Sequence, residues 1–202
     1  MPPEAASDDS SYTARLEALT GARWKRLIGA QIPYRLHIRR LVEGEVLDVG
    51  CGIGRNLEHL GGRGVGVDIN PHSVEAARRR GLEAYTSADF PDSPAARRRY
   101  DTLLFAHVLE HMNLEEATEL VTFYLGYLKT EGRVVVIVPQ AAGFRSDPTH
   151  IAPVGAEEIA HLARVTGLTV ERIYSFPAPA WVGRFFVHNE TVALLRTPGH
   201  QG

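Results

Sequence analysis

A single cysteine, Cys51, stands among the 202 residues, so no disulfide can form within the chain. No uninterrupted apolar run approaches the length of a membrane span. The opening residues, M-P-P-E-A-A-S-D-D-S-S, lack the basic and apolar regions of a signal peptide. Neither sign of charge is in surplus: 22 Lys and Arg face 24 Asp and Glu, so no broad nucleic-acid or membrane-surface footprint is expected. There is no internal repeat. These absences leave a soluble cytoplasmic protein of one domain, long enough to bury a good core.

What is present is an alternation of short apolar runs with helical patterns. Residues 1–11 are polar and read as a disordered tail. Tyr12–Leu41 reads as helical, with Leu16, Leu19, Leu27 and Ile28 as apolar contacts, interrupted at Gly21 and Pro33. Strands are predicted at Val46–Val49, Val65–Asp68, Glu83–Thr86, Asp101–Ala106, Arg133–Val138, Leu168–Phe176 and Phe185–Leu195. Helices are predicted at Arg55–Leu60, Pro71–Arg80, Asn113–Leu128 and Ala156–Thr166, with Asn113 and Glu116 at capping-box spacing. V-V-V-I-V within Arg133–Val138 is typical of a central strand buried on both faces. The alternation implies a doubly wound, Rossmann-like α/β fold with a mostly parallel sheet, and the hairpin-like last two strands imply an antiparallel edge.

The chemistry begins at V-L-D-V-G-C-G-I-G-R, Val46–Arg55, followed by V-G-V-D, Val65–Asp68. A glycine turn between strand and helix lets a ligand approach the backbone, and Asp68, twenty residues after Asp48, is placed to bind ribose hydroxyls. The glycines Gly50, Gly52 and Gly54 form G-x-G-x-G rather than the dinucleotide pattern, and Asp48 precedes them. A carboxylate there repels a pyrophosphate but attracts a sulfonium and an α-ammonium. The motif therefore favours S-adenosylmethionine over a nicotinamide dinucleotide.

With these residues in place, the chain resembles the class I S-adenosylmethionine-dependent methyltransferases. D-V-G-C-G-I-G-R, G-V-D-I-N at Gly66–Asn70, S-A-D-F at Ser87–Phe90, Y-D-T-L-L-F-A-H-V-L-E-H-M at Tyr100–Met112 and L-K-T-E-G-R-V-V-V-I-V-P at Leu128–Pro139 occur in the order that family shows. The resemblance implies a seven-stranded sheet in the order 3-2-1-4-5-7-6, with strand 7 antiparallel. It also implies a donor site of Asp48, Gly50, Cys51, Gly52, Gly54, Arg55, Asn56, Asp68, Ile69, Asn70, Ala88, Asp89, Phe90 and Ala106. In it Asp48 lies near the ammonium, Asp68 on the ribose, Ile69 on the adenine, Asp89 at its amino group, and Ala106 and His107 by the sulfonium. The domain would run over 12–202, with 12–41 as a helical cap carrying Arg23, Tyr34, Arg35 and His37.

Methyl transfer to an alcohol needs in-line positioning and removal of a proton, by a base or with a metal. In A-H-V-L-E-H-M, a helical reading puts His107, Glu110 and His111 on one face. H-x-x-E-H also matches a zinc motif of inverted metallopeptidases, but no peptidase context surrounds it, and a packing and capping role is the plainer alternative. The ends of strands 4 and 5 are neighbours at the ligand edge, so His150 in S-D-P-T-H-I can join them. His107, Glu110, His111 and His150 then form a candidate catalytic and divalent-metal (Mg²⁺) set. It is similar to that of small-RNA 3′-terminal 2′-O-methyltransferases, except that His107 stands where an acid is expected. Without metal, His111 or His150 is the candidate general base. Asp147 reads as a turn residue, Arg97–Arg99 as a solvated loop, and Trp181, Arg184 and Phe185 as core or edge packing with sugar stacking as the alternative. His188 and Asn189 are placed in the last strand.

The reading is an O-methyltransferase acting on a sugar or oligosaccharide hydroxyl. The C-terminal segments are similar to actinobacterial saccharide O-methyltransferases, including those of the methylmannose-polysaccharide pathway. The alternatives are a ribose 2′-O-methyltransferase of small RNA or nucleotide, a quinone or phenol O-methyltransferase, and a non-catalytic donor-binding module. A homodimer is compatible with all of them.

Overall fold

The computed structural model describes residues 33–199. The expected tail over 1–11, and Leu16, Leu19, Arg23, Leu27 and Ile28 of the expected cap, lie outside the described residues. Seven strands form one sheet: β1 (Val46–Val49), β2 (Val65–Asp68), β3 (Ala84–Thr86), β4 (Tyr100–Ala106), β5 (Leu128–Pro139), β6 (Thr169–Phe176) and β7 (Glu190–Arg196). Their order is β3-β2-β1-β4-β5-β7-β6. The first five are parallel to one another, and β7 runs antiparallel to both β5 and β6. The order and hands expected from the family resemblance are therefore borne out.

Both faces of the sheet are covered, which is why its central strands carry no polar alternation. Leu47, Val49, Leu103, Phe105, Val134, Val136 and Val138 pack on one face beneath α4 (Leu114–Leu125) and α6 (Ala156–Val165). Val46, Leu104, Ala106, Val135 and Ile137 pack on the other, against Ile38 and Leu41 of the helical residues 33–41 (α1) and against Val42. Asn113 caps α4 by accepting from Glu116 N–H at 3.0 Å, while the Glu116 carboxylate accepts from Asn113 N–H at 2.9 Å. Such a cap is worth about 1 kcal/mol, and it fixes where the loop after β4 turns back into helix.

Three boundaries differ from expectation by more than one residue. Apolar periodicity carries the predicted α4 to Leu128, but the helix stops at Leu125 and Leu128 instead pairs with Tyr100 as the first residue of β5. The polar K-T-E stretch is thus exposed near the start of that strand, which takes a positive φ of 57° at Glu131. The last strand begins at Glu190, not Phe185, because Ala180–Arg184 forms a 3-10 turn and Phe185–His188 follow as an exposed loop. Arg97 and Arg99 are exposed, as expected of a solvated loop, while half-buried Arg98 pairs with Glu45 at 2.9 Å and with Glu83, tying the loop before β4 to the sheet.

Candidate active site

Between β1 and α2 (Arg55–His59) the chain must turn sharply, and Gly50, Gly52 and Gly54 all take positive φ there. A Cβ on Gly50 would come within 2.1 Å of Val108 Cγ2, so only glycine lets the turn lie against the end of β4. The turn is tied to β2 by Gly50 and Cys51 N–H groups donating to Val67 O at 2.7 and 3.0 Å. Asp68, at the tip of β2, accepts from Gly52 N–H at 2.7 Å and from Asn70 N–H at 2.9 Å. Burial raises its pKa against these two bonds. Asn70 caps α3 (Pro71–Arg79) through its side chain, and its ring of contacts leaves it buried.

Asp48 is fully buried, and neither carboxylate oxygen has a hydrogen-bond partner of normal geometry. Burial pushes its pKa up to about 7; the Asn56 side chain favours the charged form and Asp68 opposes it. The Tyr34 hydroxyl of α1 donates to Asn56 Oδ1 at 3.5 Å. Burial, Glu190 and Asp48 all raise the Tyr34 pKa, which puts these groups in one electrostatic neighbourhood. His37 stacks on Phe176 at 3.7 Å and bonds the Tyr174 hydroxyl at 2.7 Å, while Arg35 and Arg55 are exposed. Beyond Asp68, Ile69 is 41% exposed and Ala88 and Asp89 are open, with Asp89 accepting from the Thr86 hydroxyl at 2.7 Å. Two expected donor residues turn inward: the Phe90 ring is in the core, edge-on to Tyr127, and Cys51 Sγ packs over Gly66. Burial raises the Cys51 thiol pKa, which leaves it inert.

The H-x-x-E-H run is not a helix. His107 follows β4 in the left-handed region, with φ 60°, and Leu109–His111 forms a 3-10 turn. The four residues expected to converge therefore divide. Glu110, His111 and His150 offer ligand atoms that all lie within 4.8 Å of one another. His107 falls outside that set, with Nδ1 at 3.3 Å from Glu110 Oε1 and Nε2 at 2.8 Å from Glu190 Oε1. Desolvation works against charge on His107, but the two carboxylates outweigh it and carry its pKa up to about 10.

The cluster is held by its neighbours. His150 Nδ1 lies 2.8 Å from Phe144 O, in α5 (Ala141–Arg145), and the Phe144 ring stacks on the imidazole at 5.3 Å. His111 Nδ1 lies 3.2 Å from Thr149 O. A carbonyl can only accept, so each Nδ1 is the donor of its pair, and the tautomer that makes this bond leaves the Nε2 lone pair free. Asp147 accepts from both Thr149 N–H and Thr149 hydroxyl, at 3.0 and 2.8 Å, as a turn residue; Thr149 and the nearby histidines hold its pKa low despite partial burial. The Glu110 carbonyl accepts from Ile151 N–H at 2.8 Å, closing the loop after β5 onto the turn after β4.

Glu190 was not singled out by sequence reasoning. β7 is antiparallel, so its first residue arrives at the sheet edge where the parallel strands end. The one legible signal is a lone acid opening the apolar run E-T-V-A-L-L. Two other expectations are corrected here. Trp181 and Phe185 do not pack in core or edge but stand 69% and 82% exposed, with Arg184 exposed beside them. His188 and Asn189 precede the strand rather than alternating in it; His188 is exposed, and Asn189 is buried, donating to Gln140 Oε1 at 2.9 Å.

A doubly wound sheet of this order, with a glycine turn after β1 and an acid at the end of β2, defines a class I methyltransferase fold. A family model described as a methyltransferase domain matches residues 22–173. No curated protein matches the sequence. Among solved structures, a SAM-dependent methyltransferase from Archaeoglobus fulgidus shares 21% identity at a TM-score of 0.68, over 94% of this chain and 100% of that one. The N-methyltransferase NodS from Bradyrhizobium japonicum, solved with S-adenosyl-L-homocysteine, shares 18% at 0.66, over 94% and 100%. Magnesium protoporphyrin IX methyltransferase (ChlM) from Synechocystis PCC 6803, solved with bound SAM, shares 15% at 0.60, over 96% and 100%. The chain belongs to the methyltransferase-domain family and is a SAM-dependent enzyme. No helix among the described residues is long and apolar enough to cross a membrane.

Proposed function

We propose that the enzyme transfers the methyl group of S-adenosylmethionine to a hydroxyl of a sugar or oligosaccharide. The turn at Gly50, Gly52 and Gly54 would hold the methionine part of the donor, and Asp68 the ribose. The orphaned, buried Asp48 carboxylate would face the donor's positive charge, and Ile69 and Asp89 would take the adenine. A cation beside Asp48 favours its ionised form, so a proton and the donor compete. With the Asp48 pKa near 7, donor affinity is expected to level off above neutrality and to weaken below it, by up to about tenfold per pH unit. Calorimetric titration across that range measures this, and Asp48→Asn should flatten the trend.

The observation that carries the acceptor reading is the approach of Glu110, His111 and His150 to within 4.8 Å beside the end of β4. An alcohol is a weak acid, and this cluster supplies what an alcohol needs. Bound there, a divalent cation such as Mg²⁺ would lower the hydroxyl's pKa, with the Glu110 carboxylate and the two Nε2 lone pairs as its ligands. Without metal, one Nε2 takes the proton as the oxygen forms its bond to the methyl carbon and the bond to sulfur breaks. The methyl reaches the oxygen, the proton reaches the imidazole, and neutral S-adenosylhomocysteine leaves. Exposed Trp181 and Phe185 would give a sugar ring aromatic faces to lie on.

Labelled methyl transfer to a panel of mono- and oligosaccharides, with and without chelator and added Mg²⁺, tests this. Labelled saccharide that disappears on chelation is the expected result. Label that survives chelation keeps the acceptor class and assigns the proton to histidine. Label appearing only on RNA ends or phenols would overturn the sugar reading.

A further inference from the structure

We propose that Glu190 is a positioning residue of this site: through His107 it holds the Glu110 carboxylate in place toward His111 and His150. The inference rests on the reading of that cluster as the reaction centre. Glu190 opens β7 opposite Pro139, the last residue of β5, and its carbonyl accepts from Gln140 Nε2 at 3.3 Å. Its backbone is therefore pinned at the sheet edge. Its side chain is nearly buried, with Oε1 on His107 at 2.8 Å and Oε2 without a partner.

His107 is held equally firmly. Its N–H donates to Ile137 O at 2.9 Å, and its left-handed backbone turns the ring between two carboxylates instead of continuing β4. A non-glycine residue in that region is sparsely populated and persists where surrounding contacts demand it. Glu110, at the far side of the ring, is 1% exposed, and neither of its oxygens makes a hydrogen bond of good geometry. A buried carboxylate so poorly satisfied needs a polar neighbour, and the His107 ring, with Nδ1 at 3.3 Å from Glu110 Oε1, is the one these contacts supply. Its position in the cluster thus depends on His107, and the ring's position depends on Glu190. Eighty-three residues separate Glu190 from His107, so only the sheet brings them together.

The test is a double-mutant cycle on the full chain with Glu190→Ala and His107→Asn, the latter chosen because Asn tolerates the left-handed backbone. Three readouts are taken: kcat, Mn²⁺ affinity of the protein without substrate, and the ring signals of His111 and His150 in histidine-selective NMR spectra. Glu190→Ala should lower kcat and Mn²⁺ affinity by about 10- to 100-fold and shift both ring signals. His107→Asn should do the same, and the double variant should be no worse than either single one. Wild-type values in Glu190→Ala, or losses that multiply in the double variant, would overturn the proposal. If Glu190→Ala does not fold, Glu190→Gln keeps the shape without the charge and carries the same comparison at smaller amplitude. Failure of the wild type to bind Mn²⁺ counts against the metal alone, and kcat and the ring signals then decide. Failure to methylate any saccharide counts against the acceptor, and the ring signals and Mn²⁺ affinity decide.

Discussion

Asp68→Ala is expected to weaken S-adenosylmethionine binding roughly a hundredfold or more. Each charge-assisted hydrogen bond from a ribose hydroxyl to a carboxylate is worth about 1.5–3 kcal/mol, and two such bonds would be lost. The same carboxylate fastens the glycine turn by accepting from Gly52 N–H, so its removal also loosens the loop that holds the methionine end. Asp68→Asn separates the two effects: it keeps an acceptor for one backbone N–H but loses the charge, and it should fall between wild type and Ala. Calorimetry of donor binding, paired with a thermal melt, measures both. Unchanged affinity in Asp68→Ala would refute the ribose assignment.

The second large effect is expected at the histidines. His111→Ala and His150→Ala should each lower turnover by about 10²–10⁴-fold, the range for loss of a general base or metal ligand, while donor affinity stays within about twofold. The separation follows from geometry. Both residues belong to loops after β4 and β5 that close on each other through Ile151 N–H and Glu110 O, whereas the donor turn is fastened to β2. Steady-state kinetics beside calorimetry distinguish the outcomes. Wild-type turnover in both variants would remove the shared site, and lost donor affinity in either would make these residues part of the donor pocket.

Much of this molecule was legible in one dimension because its rules are local. Val46–Val49 and Val65–Asp68 were read to the residue, since a strand buried on both faces and bounded by glycine and aspartate has little freedom in its ends. The capping box at Asn113 and the positive φ values at Gly50, Gly52 and Gly54 likewise follow from neighbours in sequence. Where a local rule met a distant partner, the partner won. Leu128 continues a helical stripe but pairs with Tyr100, and the aromatic run from Phe185 looks like a strand but sits outside the sheet.

Near the reaction centre the division is sharper. The class of enzyme and its methyl donor were carried by the sequence alone, because a glycine turn, an acid after β2 and the βα alternation lie within a few dozen residues and obey backbone sterics. Which histidines meet was decided only by the tertiary structure. His107, Glu110 and His111 have helical spacing, yet the left-handed backbone at His107 and the 3-10 turn send His107 to Glu190 and His111 to His150. Glu190 reaches that edge only because β7 runs against its neighbours. Local patterns in a chain constrain backbone conformation, but a buried charge takes whichever partner the packed sheet places beside it.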